Sequence, residues 1–432
     1  MAETDTDSAK HSNANVSSAK VEAAPGLWRR YRQLPRNVVA ISLVSLLNDV
    51  SSEIIYPLLP IFLTSTLGAS AKAIGIIEGL AESVSSLLKL FSGYLSDRLQ
   101  RRKWLVVFGY GLATLARPLL AFTNNWHQVL AIRLSDRVGK GIRTAPRDAM
   151  IADNAEPEKR GLAFGFHRAM DHTGAVIGPL LGYAAVYFLA ANSSLITRSE
   201  FTLVFLLASI PGVMAVLVAI FFVSETRVPA RASAEVPKLS LRGFDRNFKR
   251  FLVVLGLFTL SNSADSFLIL RAREAGVSIA VVPLLWSAHH GSKVLSSLWG
   301  GDLSDRLGRK RLIVSGWVLY AAVYAGFAFA THEVSIWALF LIYGIYFGLA
   351  EGAEKALVAD LVRPDQRGTA YGLYNLAVGL TVFPASLLMG TIWDWKGPAT
   401  AFLVSATIGT LAALLLLVLV KRRTDEPSIN SI

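Results

Sequence analysis

Residues 398–420, PATAFLVSATIGTLAALLLLVLV, carry no ionisable side chain. Coiled into an α-helix, such a stretch is about 34 Å long, enough to cross the ~30 Å hydrocarbon core of a bilayer. Residues 201–223, FTLVFLLASIPGVMAVLVAIFFV, are of the same kind, and comparable runs recur along the chain. They are too long for strands and lack the strict alternation of a barrel wall. Allowing about 20–25 residues per crossing, twelve helices are predicted, over 38–66, 72–95, 104–123, 128–153, 161–190, 201–223, 250–270, 279–302, 312–330, 334–361, 369–391 and 398–420. The expected fold class is an all-α membrane protein with twelve transmembrane helices. Composition agrees, with 17% charged residues against roughly 25% in a soluble protein.

The net charge of +12 is not spread evenly. Arg29, Arg30, Arg32 and Arg36 precede the first span. Arg98, Arg101, Arg102 and Lys103 follow the second, Arg306, Arg309, Lys310 and Arg311 the eighth, and Lys421, Arg422 and Arg423 the last. The intervening loops are poor in Lys and Arg, with Arg271 and Arg273 as exceptions. This asymmetry places both termini in the cytoplasm and accounts for the basic balance without nucleic acid. The chain has no cysteine, so disulfides, iron–sulfur clusters and thiolate metal sites are excluded. The first 25 residues are polar, without an apolar signal core, and read as a disordered cytoplasmic tail.

One unit is used twice. GYLSDRLQRRK begins at Gly93 and GDLSDRLGRKR at Gly301, 208 residues later; IADNAEPEKRGLAFG from Ile151 and VADLVRPDQRGTAYG from Val358 are 207 apart. The organisation expected is a tail over 1–36, a six-helix bundle over 37–223, a cytoplasmic linker over 224–249 rich in charge, Ser and Pro, a second six-helix bundle over 250–420, and a tail over 421–432. An even number of crossings per unit gives two pseudo-symmetric halves of like orientation, a layout that puts a substrate site between them near the midplane.

The loop after the second span of each half, with Gly93, Leu95, Ser96, Asp97, Arg98 and Arg101 in one copy and Gly301, Leu303, Ser304, Asp305, Arg306, Gly308 and Arg309 in the other, resembles the signature of major facilitator superfamily transporters. The first copy departs from it at Gln100, where the second has Gly308. The resemblance implies that Asp97 and Asp305 meet the N-terminus of a helix from the opposite half, where the helix dipole favours an anion. Arg101 and Arg309 are expected to reach Asp153 and Asp360 and so latch the cytoplasmic side. Gly93 and Gly301 allow close helix approach.

The fourth span is too charged to face lipid. It holds Arg133, Asp136, Arg137, Lys140, Arg143, Arg147 and Asp148. Each central charge costs about 2.5–3.5 kcal/mol on an insertion scale, while each large aliphatic returns about 0.3–0.6 kcal/mol. Asp136, Lys140, Arg143 and Arg147 lie at helical spacing, as one stripe. Water or carboxylates must face them, and Asp49 and Glu53, Glu78 and Glu82, and His167, Arg168, Asp171 and His172 are the available groups. Applying the repeat offset, Arg147 corresponds to Glu354 and Glu82 to His290, so cavity residues diverge where scaffold residues repeat.

The fifth span reads DHTGAVIGPLLGY, with Gly174, Gly178, Pro179 and Gly182. In the resembled superfamily this pattern marks proton-coupled antiporters, chiefly drug exporters, although Tyr183 stands where a final Gly is usual. The expected function is therefore a secondary active transporter, not an enzyme: a proton-coupled exporter of a small organic compound, working by alternating access. The alternatives are a proton symporter importing a nutrient or organic anion and a non-transporting sensor on the same fold. Proton coupling is assigned to Asp49, Glu53, Glu78, Glu82, Arg143 and Arg147. The substrate cavity is assigned to Tyr56, His167, Asp171, Asn262, Asp265, His290, Lys293, Glu354, Lys355, Tyr374 and Asn375. No cofactor or metal is expected, since the adjacent His289 and His290 point about 100° apart on a helix and GKGIRT lacks a phosphate-loop pattern. The partners are a small molecule, protons and the bilayer of a bacterial inner membrane, with the monomer as the working unit.

Overall fold

Helices alone make up the described part of the chain, which in this computed structural model is residues 34–420 except 100, 157–158, 190–195, 226–239 and 364–365. Twelve crossings follow one another: α1 (Arg36–Ser65), α2 (Ala71–Leu99), α3 (Arg102–Phe122), α4 (Trp126–Asn154), α5 (Arg160–Leu189), α6 (Arg198–Phe221), α7 (Arg246–Glu274), α8 (Val282–Leu307), α9 (Arg309–Phe329), α10 (Glu333–Leu361), α11 (Arg367–Lys396) and α12 (Pro398–Leu419). Among the described residues nine are long and apolar enough to cross a membrane by composition; α2, α4 and α8 are the other three. Those three hold Glu78 and Glu82, the α4 charges, and His289, His290 and Lys293. A helix of that kind is placed by its neighbours, because lipid offers no partner for its ions.

Packing repeats with the sequence. In the first half α1 lies on α5 and α6, α4 on α2 and α3, and α3 on α6; in the second α7 lies on α11 and α12, α10 on α8 and α9, and α9 on α12. The halves meet through α2 against α11 and α8 against α5, a pair of contacts that the repeat exchanges.

Two crossings are broken at matching places. In α1 the helix stops at Ile55 and resumes at Leu59, with Pro57 in the gap; in α7 it stops at Ser261 and resumes at Ser266. The backbone groups freed at the second break are satisfied locally: Tyr320 donates its hydroxyl to the Ser261 carbonyl (2.5 Å), and the Ala264 amide donates to Ser386 Oγ (3.2 Å). Such satisfaction is what allows irregular backbone inside a membrane protein.

In the second signature copy only Gly308 stands between α8 and α9. Gly308 adopts φ +88°, a left-handed conformation that favours glycine. The repeat offset falls from 208 at Gly93 and Gly301 to 207 at Ile151 and Val358. Among the described residues Asp153 pairs with Arg102 and not with the expected Arg101, whereas Arg309 pairs with Asp360 as expected; with the offset of 207, Arg102 is the counterpart of Arg309. Arg271, an exception to the charge asymmetry, caps the end of α9 by donating to the carbonyls of Phe327 (2.8 Å) and Ala330 (2.8 Å). The side-chain surroundings of Gly93, Asp97, Arg98, Gly301 and Asp305 lie outside the described residues, as do both tails and residues 226–239 of the linker.

Candidate functional site

The charges of α4 are buried as a network within the first half. Arg133 makes a two-pronged pair with Glu78 on α2 (3.1 and 2.7 Å), and Arg137 lies 3.8 Å from Glu82, one turn further along α2. Asp136 faces the other way, to Arg117 at the end of α3 (3.1 Å). Arg117 is only 4% exposed. It also donates to Ser51 Oγ, to the Asn48 carbonyl and to Asn48 Oδ1, at 2.9–3.2 Å. One guanidinium thus ties α1, α3 and α4 together, with its donors spread over fixed acceptors. The sequence analysis does not single it out: Arg117 lies inside the expected third span, 104–123, as a lone cation with no charged residue at helical spacing to mark its partner.

Arg143 and Arg147 do not pair with Asp49 or Glu53 among the described residues. Arg143 rests on the ring of Tyr110 at 4.4 Å and donates to the Gly109 carbonyl (3.4 Å). Arg147 is held by Asp148 (2.9 Å) and Ser45 (3.1 Å). The expected pairing fails because Gly109 and Gly139 bring α3 and α4 into backbone contact. Arg143, one turn beyond Gly139, is thereby turned to Tyr110 instead of to α1.

Asp49 and Glu53 lie on the α1 face covered by α5. A Cβ on Gly174 would come 2.7 Å from the Leu46 carbonyl oxygen and 2.9 Å from the Asp49 Cβ; one on Gly178 would come 2.8 Å from the Val50 carbonyl oxygen. The glycines of the α5 motif therefore form the groove in which the carboxylate-bearing part of α1 sits. Asp49 accepts from Asn48 Nδ2 (3.0 Å), which connects it to Arg117. Glu53 reaches across the junction: Trp286 on α8 donates its indole N–H to Glu53 Oε2 (2.9 Å), and His290 Nε2 is 3.9 Å from the same oxygen. Trp286 also packs on Tyr56, at the break in α1, with ring centroids 5.2 Å apart.

The other expected cavity residues divide. His167 and Asp171 face each other on α5 (3.5 Å), Lys293 lies over the ring of Phe347 (3.9 Å), and Asn375 is exposed one turn from Gly379, which packs on Ser86 of α2. Asn262 donates to Tyr346, and Asp265 accepts from Tyr343 (2.9 Å), both beside the α7 break. Glu354 and Tyr374, in contrast, do not line the junction. They are buried inside the second half, where Tyr374 and Trp317 both donate to Glu354. Glu351, three residues before Glu354, and Lys355, the residue after it, face the junction instead: Glu351 accepts from Lys355 (3.2 Å) and from Arg168 of α5 (2.9 Å).

On the face away from the basic loops the halves are closed. Asp394, near the end of α11, accepts from the Ala71 and Lys72 amides that open α2 (3.0 and 2.9 Å). A carboxylate there satisfies free helix amides and complements the dipole. Below it Gly75, Gly79 and Gly390 hold α2 and α11 so close that a Cβ on any of them would lie within 3.1 Å of the other helix's backbone.

Two like-oriented bundles, broken helices at their junction and ionised side chains turned inward define a membrane transporter of the secondary type. The chain belongs to the Major Facilitator Superfamily, whose description matches residues 41–288 and 250–431. It is 35% identical over 392 residues to an uncharacterized MFS-type transporter of Methanocaldococcus jannaschii, covering 89% of this chain and 95% of that one. It is 28% identical over 327 residues to a multi-drug resistance efflux pump PmrA homolog of Lactococcus lactis, covering 72% and 76%. Among solved structures, the nucleoside transporter NupG superimposes with a TM-score of 0.76 at 13% identity, covering 89% of this chain and all of that one.

Proposed function

We propose that this transporter is a proton-coupled exporter of small organic compounds, with its basic face in the cytoplasm and Asp49 and Glu53 as the proton carriers. The observation that carries the reading is the Glu53 carboxylate at the seam, held from the opposite half by Trp286. An indole N–H can only donate, and its bond to an ionised carboxylate is roughly twice as strong as to a neutral one. Protonating Glu53 weakens a contact that joins the halves, and releasing the proton restores it. Proton occupancy is thereby linked to alternating access. Arg143, buried on Tyr110 without a carboxylate partner among the described residues, is the cation available to Asp49 once α1 and α5 move. The name of the Lactococcus lactis relative supports export.

A second reading, import of an organic anion with a proton, is favoured by one observation. Lys140 on α4 and Lys293 on α8, one from each half, have no carboxylate within ion-pair distance among the described residues.

Reconstituted vesicles with an imposed pH gradient and an entrapped pH dye separate the two. Proton release when a cationic dye, a sugar, a nucleoside or an organic anion is added on the opposite side means exchange. Proton entry together with the compound means import. Asp49→Asn combined with Glu53→Gln abolishes either coupled movement; coupling that survives the pair overturns the carrier assignment.

A further inference from the structure

Glu354 is an unusual place to keep a carboxylate. It is 7% exposed, in the middle of the second half. Its Oε1 accepts from the Trp317 indole N–H (2.8 Å) and its Oε2 from the Tyr374 hydroxyl (3.0 Å). Both donors are neutral. The cations nearest along the chain and across the packing are engaged elsewhere. On α10 itself, Lys355 donates to Glu351, and Glu351 is taken by Arg168 of α5. On α8, Lys293 lies over Phe347. On α9, Tyr320 donates to the Ser261 carbonyl; on α11, Tyr371 donates to the Lys355 carbonyl; α7 presents Phe258. Among the described residues no cation lies within ion-pair distance of Glu354, and a carboxylate buried in this way must either be held by hydrogen bonds alone or take up a proton.

The two donors differ in what they can do. Trp317 is fully buried and stacked on Phe258 with centroids 4.1 Å apart and planes 2° from parallel. Its N–H can only donate and its ring cannot turn away. The Tyr374 hydroxyl can donate or accept. When a proton from the aqueous side bonds to Oε2, Tyr374 rotates to accept from the new O–H, and Trp317 continues to donate to Oε1. Loss of the proton returns Tyr374 to donating to Oε2. Glu354 lies seven residues before the end of α10, about 10 Å from the basic face at 1.5 Å per residue. Tyr374 belongs to α11, the helix packed along α2 of the other half, and Gly379, little more than one turn on, touches Ser86 there.

We propose that Glu354, held between Trp317 and Tyr374, is a second proton-binding site of this transporter, lying wholly within the second half. Its occupancy is passed to the first half through α11. The proposal rests on the proton-coupled reading above. It adds a release station near the cytoplasmic face to the carriers on α1.

The test uses the full-length protein in lipid nanodiscs, titrated from pH 5 to pH 9. The difference in tryptophan emission between the parent protein and Trp317→Phe isolates Trp317. It titrates as a single transition in the parent, is flat in Glu354→Gln, and is retained in Asp49→Asn with Glu53→Gln. A Trp317 signal that is flat in the parent, or that titrates unchanged in Glu354→Gln, overturns the site. Because the chain has no cysteine, a nitroxide pair at Ser65→Cys and Lys396→Cys reports the separation of the halves cleanly. That distance distribution shifts with pH in the parent background and is frozen in its acid form by Glu354→Gln. A shift that survives Glu354→Gln overturns the link through α11. If Trp317 titrates through Glu354 while vesicles show no proton exchange, the transport reading fails and this site stands. If vesicles exchange protons and Trp317 does not titrate, this site alone fails.

Discussion

A Cβ atom on Gly178 of α5 would stand 2.7 Å from the Cβ of Glu53 on α1. The obstacle is the root of a side chain, with the Val50 carbonyl beside it at 2.8 Å, so no flexible end can swing away. Gly178→Ala therefore forces α1 and α5 apart. Overpacking of this kind costs about 1–3 kcal/mol. The expected outcome is a melting temperature several degrees lower and a loss of coupled transport. Gly111, which has nothing within 4 Å of a built Cβ, is the control: Gly111→Ala leaves both unchanged or raises stability slightly, since alanine is the better helix former.

Arg117 and Asp136 make a prediction about assembly. Removing the guanidinium leaves the Asp136 carboxylate buried, and breaking a buried pair from one side costs about 3–5 kcal/mol. Arg117→Leu is expected to abolish the monodisperse peak in size-exclusion chromatography. Arg117→Gln with Asp136→Asn, which removes both charges and keeps hydrogen-bonding groups, recovers most of it. If Arg117→Leu elutes and melts like the parent, the tie among α1, α3 and α4 carries no stability.

The parts of this arrangement that could be read beforehand share a cause. An ion at mid-bilayer has few places to be, so the sequence alone turns the charges of α4 and the Glu78 and Glu82 pair inward. The repeat supplied the topology for a similar reason, since signature loops 207–208 residues apart must occupy equivalent corners. Phase was less legible. Helix α10 is apolar around most of its girth, and nothing local says that Glu351 and Lys355 face the junction while Glu354 turns to Trp317. The break in α1 is marked by Pro57, whereas that in α7, at Asn262–Asp265, has no proline and is visible only through the repeat. Trp286 carries no such mark, because an aromatic in an apolar span ordinarily reads as packing.

Asp394 and the first turn of α2 predict how the far face opens. The carboxylate is the acceptor for two amides that no helix residue can satisfy, an interaction of about 1 kcal/mol. Asp394→Ala shifts the equilibrium toward opening on that face. Ser386, 0% exposed between α2 and α7, provides the probe as Ser386→Cys in this cysteine-free chain. An impermeant maleimide applied to the face opposite the basic loops is expected to label it roughly fivefold faster in Asp394→Ala, the factor that about 1 kcal/mol corresponds to. Unchanged labelling would mean that the cap does not contribute to closure.

The last prediction separates the two things Trp286 does. Its ring packs on Tyr56, and its N–H holds Glu53. Trp286→Phe keeps an aromatic ring against Tyr56 and deletes only the donor. The melting temperature is expected to change little. In proteoliposomes, transport driven by a pH gradient falls severalfold, while exchange of the same compound at equal pH on both sides is preserved, because the seam still packs but no longer senses the charge on Glu53. A variant that loses both activities equally would show that Trp286 serves packing alone. The Glu53 hydrogen bond would then have no part in coupling, and proton occupancy would have to reach the second half by another route.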